Sequence, residues 1–141
     1  MNFDCVGKKT NGEYYMKFSK PFTPLEKIQL LQRSILVNSF AYYELNENIL
    51  SDFQYDANAK QLAELKQQYP DDFRRSRYYE YFYDYCSDVE GAHYTSGFDL
   101  LERVRKKDSG LYRYLRLDSM FALETKEKVG RRSLDEPYMY K

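Results

Sequence analysis

The chain has 141 residues, with 22 basic and 22 acidic side chains and no net formal charge. That length suits one domain with a real core, and the balanced charge argues neither for a globally basic nucleic-acid binder nor for a globally acidic mimic. Two cysteines, Cys5 and Cys86, are too few for a disulfide scaffold, and neither a signal-peptide pattern nor a membrane-length apolar run occurs, so a soluble cytoplasmic protein is expected.

In chain order, residues 1–20 hold the best turn signal: Asn11-Gly12 supplies the positive-φ pair of a tight β-hairpin, with "EYYMKF" as its second arm. A helix hairpin follows, predicted over about 23–45 and 51–69. In the first helix Thr23 is the cap, Pro24 takes the first position and Glu26 completes a capping box. Leu25, Ile28, Leu31, Ile35 and Leu36 recur at helical spacing as a core stripe. Ser51 and Gln54 form a second capping box after the polar turn "NENILS", and Pro70 stops the second helix. So short a turn predicts an antiparallel helix pair.

The run from Tyr78 to Cys86 is ambiguous, strand-like in aromatic content and helix-like in little but length. After Gly97, "FDLLERVRKKD" and "LYRYLRLDSMFALETKEKV" read as helices, and the tail "GRRSLDEPYMYK" as extended or loose. The expected fold class is α+β, mainly α. It has a helix-hairpin core, a small N-terminal β-hairpin and additional C-terminal helices. The expected organisation is a single domain over 1–141: the hairpin (1–20), the helix pair (23–70), then a Tyr-rich acidic segment followed by basic helices (71–141).

Tyr42 and Tyr43 close the first long helix, and Asp52, Tyr55 and Asp56 open the second on one face, because spacings of three and four bring side chains together. Two readings stand side by side. Asp52 complements the helix dipole and the tyrosines staple the pair together, or the five side chains line a ligand site.

The stretch "YYELNENILSDFQYDANAKQLAELKQQYP" resembles the small N-terminal helical domain of bacterial NAD-dependent DNA ligases. Tyr42-Tyr43, Ser51-Asp52, Tyr55-Asp56 and Tyr69-Pro70 carry the resemblance in order and at matching spacing. In that family the domain closes over NAD and holds its nicotinamide mononucleotide half before adenylate transfer. The resemblance implies a pocket for NAD or nicotinamide mononucleotide at Tyr42, Tyr43, Asp52, Tyr55 and Asp56. Oxidised nicotinamide is a flat cation that tyrosine faces attract, and carboxylates accept hydrogen bonds from ribose hydroxyls. The Lys-x-Asp-Gly motif that takes the adenylate in those ligases is absent; the nearest sequence, Lys106 to Gly110, has serine where that motif has glycine. Self-adenylation and nick sealing are therefore not expected. The chain looks like a stand-alone relative of that domain, of a kind associated with phage and prophage genomes.

Other catalytic signals are thin. His93 stands in a loop between glycines, no metal-ligand spacing accompanies Cys5 or Cys86, and no phosphate loop or nucleophile elbow occurs, so no metal and no enzyme activity are expected. Charge is segregated, however. From Tyr78 to Glu90 the chain has Glu80, Asp84, Asp88 and Glu90 and no basic residue. From Arg103 to Arg132 ten basic residues face four acidic ones.

Two expectations follow. Arg105, Lys106, Lys107, Arg113 and Arg116 are candidate contacts to nucleic acid, with Tyr112 and Tyr114 interleaved. Tyr79, Glu80, Tyr81, Tyr83, Asp84, Asp88 and Glu90 are a candidate protein interface, through which a phage-type inhibitor such as an anti-CRISPR protein would occupy a nucleic-acid-handling partner. The leading expectation is a non-catalytic binding protein built on nicotinamide-nucleotide recognition, and the inhibitor is the alternative.

Overall fold

The computed structural model describes residues 22–86 and 95–135, with side chains through residue 127. Among the described residues six helices follow one another: α1 (Pro24–Glu44), α2 (Asp52–Gln68), α3 (Pro70–Arg75), α4 (Tyr79–Phe82), α5 (Gly97–Lys107) and α6 (Ser109–Asp135). Among the described residues there is no strand. The α+β expectation is therefore corrected to a helical fold. The hairpin expected over 1–20 lies outside the described residues.

Local chemistry sets the long helices. The Thr23 hydroxyl accepts from the Glu26 amide while Glu26 returns a bond to the Thr23 amide, and Pro24 supplies a preset φ at the first position. Ser51 and Gln54 repeat that exchange at the start of α2. Pro70 both ends α2 and begins α3, a short helix absent from the sequence expectation; a residue that cannot continue one helix is well suited to open the next. Asp108 separates α5 from α6, and its carboxylate accepts from the Leu111 amide in the first turn of α6. Helix α6 then continues to Asp135, so the first half of the tail expected to be extended or loose, residues 130–135, is helical.

The core draws on every helix. Ile28, Ile35, Leu36 and Phe40 of α1 are buried with Ala59, Leu62 and Leu65 of α2, Phe73 of α3, Leu100, Leu101 and Val104 of α5, and Leu115 of α6. From the predicted α1 stripe, Leu25 and Leu31 are only partly buried. The ambiguous run resolves as the single turn α4 between tight turns, burying Tyr78, Tyr81, Phe82 and Tyr85. Those burial intervals are helical, although tyrosine alternates along the run as it would in a strand. Burying such large aromatic faces stabilises by about 1.5–3 kcal/mol for each full side chain, and at α4 this outweighs β-propensity.

Polar bonds fix how the helices cross. Gln32, fully buried on α1, donates to Ser76 after α3 at 2.9 Å. Arg33 pairs with Asp118 of α6 and donates to the Tyr78 hydroxyl at 2.7 Å. Ser119 of α6 donates to the Val37 carbonyl at 3.0 Å, and Phe40 meets Tyr112 edge-to-face at 5.0 Å. No described helix is long and apolar enough to cross a membrane.

Candidate functional site

The loop between α1 and α2 is held from three sides. Asn46 adopts a left-handed conformation (φ 58°), which asparagine tolerates better than most residues, and turns the chain away from the end of α1. Asn38, anchored by its amide to the Ser34 carbonyl, accepts from the Leu50 amide at 3.2 Å. From α6, Lys126 donates to the Asn48 carbonyl at 2.6 Å. A loop restrained at this many points is largely preorganised, as small-ligand sites generally are.

Beneath that loop lies a cavity of about 130 Å³, lined by Asn38, Ser39, Tyr42, Tyr43, Asn48, Ile49, Leu50, Asp52, Tyr55 and Gly97. A single water needs about 10–15 Å³, so the space exceeds hydration of one polar group and suits a small ring. Four of the five sequence-derived residues line it: Tyr42, Tyr43, Asp52 and Tyr55. Asp56 lies one turn further along α2, exposed and outside the lining.

The tyrosines are differently placed. Tyr55 is half-buried, with its hydroxyl 3.0 Å from the Ser39 hydroxyl. Tyr42 and Tyr43 keep 53% and 45% exposure at the end of α1, so their faces remain available to a ligand. Their rings meet edge-to-face at 4.8 Å, and Tyr43 meets Phe98 of α5 at 5.7 Å. Burial, with the negative fields of Tyr42 and Asp99, raises the Tyr43 hydroxyl above its ordinary pKa, so it remains a neutral donor at physiological pH. Among the described residues neither Asp52 nor Asp56 forms an ion pair. Sequence reasoning missed Ser39 and Gly97. A Cβ at Gly97 would collide with Ser39 Oγ and lie 3.1 Å from the Tyr55 hydroxyl, so α5 reaches α1 and α2 only because the residue there is glycine.

Part of the candidate interface packs against α5, where Lys107, one of the candidate nucleic-acid contacts, and Arg103 meet it. Arg103 of α5 makes paired bonds to Asp84 (2.9 and 3.1 Å), donates to the Tyr81 carbonyl and lies over the Tyr83 ring at 4.8 Å. The Arg103 guanidinium holds the Asp84 carboxyl below its ordinary pKa. Lys107 pairs with Glu80 at 3.3 Å. Tyr81 is 2% exposed, and burial followed by the bond to Glu80 pushes its hydroxyl well up. Tyr79 is half-buried against Phe73, and Tyr83 is exposed. Asp88 and Glu90 lie outside the described residues.

Two of the other basic candidates, Arg105 and Arg116, also have internal contacts. Arg105 is paired with Glu102, Lys106 and Arg113 are exposed, and Arg116 lies over the Phe40 ring at 5.1 Å. Burial and a bond to Glu44 push the Tyr112 hydroxyl up to about 12. Among the described residues no cluster of three or more histidine, cysteine, aspartate or glutamate side chains is placed to hold a metal.

Comparison with known proteins converges on the part of the chain that builds most of this cavity. A family model described as "DNA ligase-like, N-terminal NAD+-binding domain" matches residues 22–77. Curated DNA ligases from two strains of Porphyromonas gingivalis are 40% identical over 48 residues, which is 34% of this chain and 7% of each ligase. A DNA ligase from Malacoplasma penetrans is 34% identical over 58 residues, 41% of this chain and 8% of the ligase. The match thus spans less than a tenth of these relatives' length, and the family match is to the N-terminal NAD+-binding domain alone. No solved structure matches the chain. Residues 22–77, which contribute nine of the ten described residues lining the cavity, are thus similar to the N-terminal NAD+-binding domain of DNA ligases.

Proposed function

We propose that the chain is a non-catalytic binding protein whose α1–α2 cavity takes the nicotinamide nucleotide half of NAD. One observation carries the reading. Tyr42, Tyr43, Asp52 and Tyr55, all within the ligase-like segment, line a single cavity, and Asp52 has no cationic partner among the described residues. A flat cation on the tyrosine faces gains about 0.5–2 kcal/mol, and a carboxylate hydrogen-bonded to ribose adds about 1.5–3 kcal/mol. Asn38, Ser39 and Asn48 supply neutral donors and acceptors for the carboxamide and sugar. The chain lacks the Lys-x-Asp-Gly nucleophile, so the chemistry proposed is recognition without adenylate transfer.

Calorimetry with nicotinamide mononucleotide and NAD tests this. Saturable heat is expected from the wild type, and Asp52→Asn and Tyr55→Ala should weaken binding while Asp56→Ala changes it little. A wild-type protein that gives no heat with either nucleotide sinks the reading. The inhibitor alternative needs its carboxylates available to a partner, whereas Glu80 and Asp84 are engaged by Lys107 and Arg103.

A further inference from the structure

Among the described residues, the one wall of the cavity that lies outside the ligase-like segment is the first turn of α5. Gly97 lines the cavity directly, and Phe98 and Asp99 follow it in the same helical turn. Phe98 stands 5.7 Å from Tyr43 at an interplanar angle of 65°, and Tyr43 stands 4.8 Å from Tyr42 at 88°. Three rings therefore run edge-to-face from α5 onto α1, with Tyr43 supported on both sides. Such contacts fix ring orientation, because the positive edge of one ring seats on the negative face of the next. Phe98 is still 49% exposed, so it braces Tyr43 without being sealed into the core.

Charge points the same way. The negative charge of Asp99, two residues beyond the cavity-lining Gly97, acts on the Tyr43 hydroxyl. Arg103, one turn along α5 from Asp99, shares part of that field, but its side-chain hydrogen bonds go to Asp84 and it is seated over Tyr83.

We infer that the turn Gly97–Asp99 is a specificity wall: Phe98 positions the Tyr43 face and Asp99 biases it electrostatically, so that the cavity selects a flat pyridinium cation over a neutral ring of the same outline. This rests on the nicotinamide reading of the cavity and adds to it the discrimination between oxidised and reduced ligand. Phe98 and Asp99 are positioning residues acting through Tyr43.

The test uses two ribosides that differ at the ring, nicotinamide riboside (a cation) and dihydronicotinamide riboside (neutral), titrated into the full chain. The wild type should favour the cation by about tenfold. Asp99→Asn and Phe98→Ala should each reduce that ratio by about threefold or more, with thermal melts showing that both variants remain folded. A structural role alone would weaken both ligands equally and leave the ratio intact. If the wild type binds both ribosides and neither variant moves the ratio, the wall is overturned and the nicotinamide reading stands. If the wild type binds neither riboside, both fall together.

Discussion

At residues 80–84 tyrosines and carboxylates are met by the cations of α5, whereas at residues 42–56 the same residue types surround a cavity and form no ion pair among the described residues. Composition does not distinguish the two regions; the neighbouring helix does. Arg103 and Lys107 neutralise one carboxylate each and tie α4 to α5, so the acidic segment works as a structural seam. Toward the cavity, α5 presents Gly97 and the Phe98 ring instead, and the Asp52 carboxylate beside the exposed rings forms no ion pair among the described residues. On the proposed reading, tyrosine beside carboxylate points to a ligand only where no internal cation is paired with it.

The comparison breaks if seam and cavity respond alike to substitution. The largest difference is expected at Asp52→Asn, which should cost nicotinamide mononucleotide about tenfold in affinity and less than about 1 kcal/mol in stability, the worth of a first-turn carboxylate. Paired calorimetry and urea unfolding read both numbers. Gly97→Ala forces a methyl group against Ser39 and Tyr55 and should lower stability by about 1–3 kcal/mol, as overpacking does, while also shrinking the cavity. An unchanged urea midpoint would show that α5 does not approach so closely.

Arg103→Ala removes the paired bonds to Asp84, the bond to the Tyr81 carbonyl and the contact with Tyr83. A loss of about 1–2 kcal/mol is expected once solvent screening of this partly exposed pair is allowed for, with riboside binding unaltered. The smallest effect is the pH response of Asp84. Its pKa is depressed in the folded state, so the stability it contributes is present above its ordinary pKa of about 4 and is lost as pH falls through the folded value. Acid titration of wild type against Asp84→Asn should reveal a difference below about 1 kcal/mol, confined to pH below about 4.

Much of this was legible in residue order. Thr23 with Glu26 and Ser51 with Gln54 announce two helix starts, and the spacing from Tyr42 to Tyr55 brings four side chains to one cavity. The failures have physical causes. The Tyr78–Cys86 run alternates like a strand, but its buried members follow a helical interval that is set by packing against the rest of the core rather than by propensity. Gly97 reads locally as a helix-start residue, and its real constraint is contact with Ser39, 58 positions earlier in the chain. Asp56 shares a helix face with Asp52 on a wheel, yet one turn carries it beyond the cavity's rim.

The close approach at Gly97 also bears on where this fold may be divided. Resemblance to ligases stops at residue 77, but α1 continues to rest on Leu100, Leu101 and Val104, and the cavity keeps its fourth side only while α5 is present. A fragment trimmed to the recognisable segment would therefore have both an uncovered core and an open-sided pocket. The ligase-like stretch and the smallest unit that closes core and cavity have different edges, and a graft of the proposed pocket onto another protein would have to carry α5 with it.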